Sequence, residues 1–139
     1  MLCRLTLTSS LALAAALPAL AEQTFNRISS FATAANMADG EDRARETSAE
    51  IMAVTEDGNR LIYSDSPLGV IGMVDITDPT MPKPLGNIAM DGEPTTAVVA
   101  GDMAFVGVNT SESFTDPSGS LRTVDLTTQE VVASCDLGG

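Results

Sequence analysis

Val74-Asp75-Ile76-Thr77 returns fifty residues later as Val124-Asp125-Leu126-Thr127. Working outward, the match continues upstream at a shorter offset of 43: Glu50 meets Glu93, Gly58 meets Gly101, and Leu61-Ile62-Tyr63 meets Ala104-Phe105-Val106. The change of offset places about seven extra residues in the middle loop of the second copy. The chain therefore carries two related units, residues 50–92 and 93–139. Repeats of roughly 40–50 residues, each too small to bury its own apolar faces, mark propellers and solenoids.

Each unit reads as four short strands. The expected ranges are 50–55, 60–64, 70–77 and 85–90 in the first, and 95–100, 103–109, 120–127 and 130–137 in the second. The breaks carry turn chemistry: Glu56-Asp57-Gly58-Asn59, Ser66-Pro67-Leu68-Gly69, Asp78-Pro79, Gly101-Asp102 and Asp116-Pro117-Ser118-Gly119. The run from Met103 to Val108 is apolar on both faces, as a strand between neighbouring sheets must be. Val131, Ala133, Cys135 and Leu137 alternate with Val132, Ser134 and Asp136, which fits a half-exposed outer strand. Helix is unsupported after residue 49. The fold class expected is all-β: a β-propeller with about two four-stranded antiparallel blades of a larger ring. Residues 22–49 are expected to hold an N-terminal strand over 25–33, donated to the last blade, and an acidic loop over 36–45 without fixed structure. Two blades are fewer than a ring requires. The expectation is an N-terminal piece of a longer chain whose remaining blades complete the ring, closure by oligomerisation being the other arrangement.

These residues carry a family resemblance. The stretch beginning at Val124 (Val-Asp-Leu-Thr-Thr-Gln-Glu-Val-Val-Ala) resembles the YVTN-type propeller repeat, and that from Met73 to Gly86 looks like its LVIVD variant. Phe25-Asn26-Arg27, Ala49-Glu50-Ile51, Glu56-Asp57-Gly58, Asp65-Ser66-Pro67 and the segment from Asn109 to Ser113 together resemble exported bacterial propellers of the phytase-like group. That resemblance implies a propeller fold and a cation-dependent phosphoric ester hydrolase activity.

The N-terminus reads as a secretory signal over residues 1–21. Arg4 supplies the charged region, Leu11 to Leu20 a short apolar core, and Ala19-Leu20-Ala21 the small-x-small cleavage pattern, leaving Glu22 as the new terminus. The apolar run is too short to span a bilayer, which takes about 20 residues. A buried N-terminal helix is the competing interpretation. Cys3 precedes the cut and is not placed as a lipid anchor, and no twin arginine is present. The location expected is periplasmic or secreted.

Composition narrows the function. A net charge of −12 with no His and no Trp repels nucleic acid and anionic membrane surfaces. It also rules out a Ser-His-Asp triad, a Cys-His pair or a His-ligated metal built from this chain alone. Only Cys135 survives removal of the signal. It reads either as a small buried apolar residue or as half of a disulfide to a residue beyond position 139.

In a blade, links into the first strand and links from second to third strand share one end. That end collects Glu50, Asp91 and Glu93 from the first kind, and Asp65, Glu112 and Asp116 from the second. Hard oxygen donors without His or thiolate suit Ca²⁺ or Mg²⁺. Glu50, Asp65, Glu93, Glu112 and Asp116 are therefore the candidate metal ligands, with Ca²⁺ the candidate ion. Acidic loops in so acidic a chain are otherwise simply solvated. Two functions follow. One is a binding module whose loop face takes a ligand or protein partner. The other is a divalent-cation-dependent phosphoester hydrolase, in which bound cations neutralise substrate phosphate and acidify a water. The repeat names no catalytic residue for the second.

Overall fold

The computed structural model describes residues 25–139. The expected signal segment, residues 1–21, lies outside the described residues. Eight strands form two separate four-stranded antiparallel sheets, each in plain sequential order. The first blade holds β1 (Met52–Val54), β2 (Arg60–Asp65), β3 (Val70–Asp75) and β4 (Lys83–Ala89). The second holds β5 (Glu93–Ala100), β6 (Met103–Asn109), β7 (Gly119–Asp125) and β8 (Glu130–Gly138). The all-β expectation holds, and the strand ranges agree to within two residues at most ends. Among the described residues no helix is long and apolar enough to cross a membrane.

The two strands that end early do so for a local reason. β3 stops at Asp75 because the Asp75 carboxylate accepts the Thr77 N–H at 2.9 Å, which turns the chain out of the ladder. β7 stops at Asp125 in the same way, its carboxylate accepting the N–H of Thr127 at 2.7 Å and of Thr128 at 3.0 Å. The residue that follows each Asp closes a second equivalent bond, Ile76 N–H to Asn59 O at 2.8 Å and Leu126 N–H to Asp102 O at 2.9 Å. The quartets Val74 to Thr77 and Val124 to Thr127 are thus one turn built twice.

Each blade has two faces. In the first, direct partners Ile62 and Met73, Ser64 and Ile71, and Ile71 and Ile88 share the forward face, and Leu61, Tyr63 and Val74 share the rear face. The forward face packs on the rear face of the second blade. Ile62, Ile71, Met73, Ile88 and Met90 join Ala97, Ala104, Val106, Val108, Val124 and Leu126 in one buried cluster. Burying a side chain of this size stabilises by about 1.5–3 kcal/mol, so this inter-blade seam is the core. Polar stitches flank it: Arg60 Nη1 donates to Leu126 O at 2.7 Å, and the Gly101 N–H donates to Glu56 Oε1 at 3.1 Å.

The N-terminal stretch departs from expectation. Residues 25–33 pair with neither sheet among the described residues, and Ser29 Oγ ties them to the first blade by donating to Pro79 O at 2.6 Å. Residues 36–45 are not structureless either. A 3-10 turn, Thr33–Asn36, delivers Asn36 to the sheet, where it is 4% exposed. The register of β3 against β4 shifts between Met73 and Val74, and the Asn36 amide fills that break. Its Nδ2 donates to Met73 O at 3.0 Å and to the Tyr63 hydroxyl at 2.9 Å, and its Oδ1 accepts the Gly86 N–H at 3.1 Å. An amide carries donor and acceptor side by side, so it can stand in for the peptide missing from the ladder. The Tyr63 ring lies flat over Gly72, where a Cβ would come within 2.1 Å of ring carbon Cζ.

The last strand also differs. β8 was expected to be half-exposed, yet all nine of its residues are exposed. It is outermost, and the forward face it belongs to has no neighbour among the described residues. Cys135 is accordingly an exposed free thiol rather than a buried apolar residue.

Candidate functional site

Antiparallel pairing decides which loops meet. Met52, at the start of β1, pairs with Tyr63 near the end of β2, and Glu93, at the start of β5, pairs with Asn109 at the end of β6. The links into β1 and β5 therefore share one end with the β2–β3 turn and the β6–β7 loop, as the sequence reading required.

Glu50 and Glu93 sit at equivalent points on that end, each tied to the residue just past β2 or at the close of β6 in its own blade. Glu50 Oε2 accepts from the Ser66 hydroxyl at 2.6 Å, and Glu93 Oε2 accepts from Asn109 Nδ2 at 3.1 Å. Ser66 and Asn109 are themselves 43 positions apart, so the repeat conserves the pairing while changing the donor. The same Ser66 hydroxyl lies 2.8 Å from Pro94 O and joins the two blades at the loop end.

Asp65 has a different post. It is fully buried, its Oδ1 accepts the Leu68 N–H at 3.1 Å, and its Oδ2 takes a short hydrogen bond from the Thr47 hydroxyl. Its own carbonyl accepts the Gly69 N–H at 2.9 Å, and Gly69 follows with φ of 72°, the left-handed turn that glycine favours. Asp65 shapes the β2–β3 turn and anchors the segment leading into β1; it does not face the loop surface. Asp116 is exposed and closes a small turn with Ser113, its N–H donating to Ser113 O at 3.2 Å. Asp91 is exposed in a left-handed conformation with φ of 51°.

The expected carboxylates thus share an end without converging on a point. Among the described residues no group of three or more acidic or thiol side chains is placed to hold a metal ion. What the structure does bring together is a groove of about 320 Å³ beside the β6–β7 loop. Glu93 and Glu112 line it with Asn109, Ser111, Ser113 and Phe114. The loop is held by its own hydroxyls: Ser111 Oγ accepts the Ser118 N–H at 2.8 Å and donates to Ser118 O at 3.1 Å, and the Thr110 and Ser118 hydroxyls meet at 2.8 Å. Phe114 projects fully exposed from the tip of this pinned loop. Acidic composition points to Glu112 and Asp116 in this loop and not to Phe114. The available signal was an aromatic set among Ser, Glu, Thr and Asp in a chain with only four Phe.

A second acidic hollow, of about 270 Å³, lies at the opposite end between Glu56, Asp57, Arg60 and Asp102. Asp57 is spent internally there: it accepts from the Thr55 hydroxyl at 2.6 Å and the Asn59 N–H at 3.0 Å, which hold its carboxyl below the usual range.

No family model matches the chain, and no curated protein matches it. Among solved structures it is similar to hydrazine synthase of Kuenenia stuttgartiensis, with a TM-score of 0.53 and 22% identity. The match covers 65% of this chain and 25% of that one, so it spans about a quarter of the other protein's length. A likeness at this identity speaks to fold alone, and it agrees with two blades of a β-propeller.

Proposed function

We propose that this chain belongs to an exported β-propeller serving as a binding module, and that its loop face takes a partner that presents a cationic side chain. The observation that carries this reading is the groove between Glu93 and Glu112, with Phe114 at its rim. Two carboxylates on one groove and an adjacent exposed aromatic ring match a guanidinium or ammonium group on an apolar stem. The hydroxyl-pinned loop holds the groove in shape before binding, which lowers the entropy lost on association. The net charge of −12 would draw such a partner in from a distance.

The hydrolase alternative requires bound cations, since bare carboxylates repel phosphate. The carboxylates of this end are dispersed, with Asp65 buried in its own turn, so no observation here favours that alternative over binding.

One titration series separates the two. Calorimetry with an acetylated, amidated tri-arginine peptide should show binding that weakens about fivefold in Glu112→Gln and in Phe114→Ala, the scale of one exposed cation–π or ion-pair contact of ~1 kcal/mol. Binding should also fade as salt is raised. Unchanged affinity in both variants would remove the groove from the account. In parallel, Ca²⁺ titration with p-nitrophenyl phosphate turnover tests the hydrolase: hydrolysis abolished by chelation and restored by Ca²⁺ would replace the binding reading.

A further inference from the structure

We propose that Asp91-Gly92, in the link between the two blades, is a site of spontaneous backbone modification at which aspartate converts to isoaspartate through a cyclic imide. The site lies beside the loop-face groove but owes nothing to what that groove binds.

The chemistry needs only water. The Gly92 backbone nitrogen attacks Cγ of the Asp91 carboxyl. A Cγ–N bond forms, and one carboxyl oxygen departs as water, carrying the carboxyl proton and the proton of the nitrogen. Water then adds to one of the two ring carbonyls. Opening at Cγ restores aspartate. Opening at the main-chain carbonyl carbon breaks the original peptide bond and leaves the chain running through Cβ and Cγ. No oxidant or reductant enters, and the product has the composition of the starting chain. Glycine in the second position favours the attack because no Cβ crowds its nitrogen.

Asp-Gly occurs at residues 39–40, 57–58 and 91–92, and all three aspartates are exposed. Hydrogen bonding separates them. At 57–58 both reacting groups are occupied. The Gly58 N–H donates to Thr55 O at 2.8 Å, and the Asp57 carboxylate accepts from the Thr55 hydroxyl at 2.6 Å and from the Asn59 N–H and Nδ2 at 3.0 Å each. These bonds favour the ionised carboxylate, which is the poorer electrophile. At 39–40 a turn encloses the pair: the Glu41 N–H donates to Ala38 O at 3.2 Å, and Glu41 Oε2 accepts the Ala38 N–H at 2.7 Å.

At 91–92 neither the Gly92 N–H nor the Asp91 carboxyl has a hydrogen-bond partner among the described residues. The bonds on either side, Met90 N–H to Gly69 O at 3.0 Å and Asn109 Nδ2 to Glu93 Oε2 at 3.1 Å, stop short of the pair. No hydrogen bond therefore pins the Asp91 Cα–C bond, whose rotation brings the carboxyl over the Gly92 nitrogen. Asp91 also holds a φ of 51°, which is unfavourable for a residue with a Cβ, so backbone preference does not oppose leaving it. The fold keeps the labile pair in place: a Cβ at residue 92 would stand 2.7 Å from Asn109 O and 2.7 Å from Val108 Cγ1. Isoaspartate adds a methylene to the backbone between Met90, buried in the inter-blade seam, and Glu93, on the groove.

The test is prolonged incubation of the purified chain at neutral pH, folded and in urea, followed by trypsin and fragmentation mass spectrometry that distinguishes isoaspartate. Cuts after Arg27, Arg43, Arg45, Arg60 and Arg122 place each Asp-Gly in its own peptide. In urea the three sites should convert at similar rates. In the folded chain Asp57 should fall several-fold below its urea rate, Asp39 should fall less, and Asp91 should stay near it. Asp91→Asn keeps a residue that tolerates the left-handed region and loses ammonia in place of water, so folded protein should convert there faster still. Asp91 protected as strongly as Asp57 overturns the proposal. So does Asp39 outrunning Asp91, and so does an Asp91→Asn variant that stays unconverted while folded.

Discussion

The residue that organises the first blade is Asn36, which no strand contains. One amide satisfies the Met73 carbonyl, the Gly86 N–H and the Tyr63 hydroxyl at the point where the β3–β4 register slips. A buried polar group left without a partner costs about 1–3 kcal/mol. Asn36→Ala strands three such groups, so it is expected to destabilise the chain by at least about 2 kcal/mol, measured by urea unfolding. A loss smaller than a surface substitution would show that water replaces the amide. Tyr63 offers a spectroscopic check on the same site. Burial raises its pKa above the ordinary 10.0, the Asn36 bond works the other way, and the Asp65 charge adds to the rise. It is the only Tyr in the chain, so absorbance at tyrosinate wavelengths reports it alone. For a group whose folded pKa is raised, the stabilisation is complete below 10.0 and is lost as pH climbs through the folded value. Folded protein should therefore resist ionisation at pH 10, with ionisation accompanying unfolding above it. A titration midpoint at 10.0 in folded protein would contradict the buried setting.

At the scale of the element, the decisive unit is the aspartate-led turn. Asp75 and Asp125 each catch the N–H two residues on, and Asp78 catches that of Thr80 at 2.9 Å. All three carboxyls are held below the usual value of 3.8: for Asp75 and Asp78 the hydroxyls of Thr77 and Thr80 contribute most and the N–H groups next, and for Asp125 the Thr128 N–H contributes most and the Thr127 N–H next. A lowered folded pKa stabilises above the unfolded value and the benefit disappears as pH falls through the folded one. The melting-temperature gap between wild type and Asp125→Ala should be steady from pH 7 to about 5 and close below about 4. A gap that persists at pH 2 would mean that the carboxylate's charge and hydrogen bonds are not what sets the turn. The repeat was legible because such turns demand a particular residue type at a particular place, an Asp followed two residues on by Thr.

At the scale of the whole molecule, the two blades meet in one apolar seam, and the N-terminal stretch covers Tyr63 and Val74 on the other face of the first blade. The run from Met103 to Val108 made β6 readable as a strand between sheets, because a strand buried on both faces must be apolar on both. The same logic could not place Asn36 or Asp65. Asn36 stood in a polar stretch resembling a loop, and its partners lie 27, 37 and 50 residues away. Asp65 looked like any other acidic loop residue until the Thr47 hydroxyl and the Leu68 N–H enclosed it. The site was legible in its end of the blade and not in its geometry. Strand alternation assigns loops to an end, whereas the distance between two carboxylates depends on how each loop is pinned.

The sequence by itself determined the periodic features: two units, eight strands, the turns between them, and the end of the blades to which each acidic loop belongs. These follow from local steric and hydrogen-bonding preferences, which act over a few residues and repeat when the residues repeat. Only the tertiary structure decided that Asp65 is enclosed, that Glu93 and Glu112 flank one groove, and that Asn36 fills the break in the first sheet. Those facts depend on contacts between residues distant in the chain, whose energies are set by packing across the seam and leave no period in the sequence.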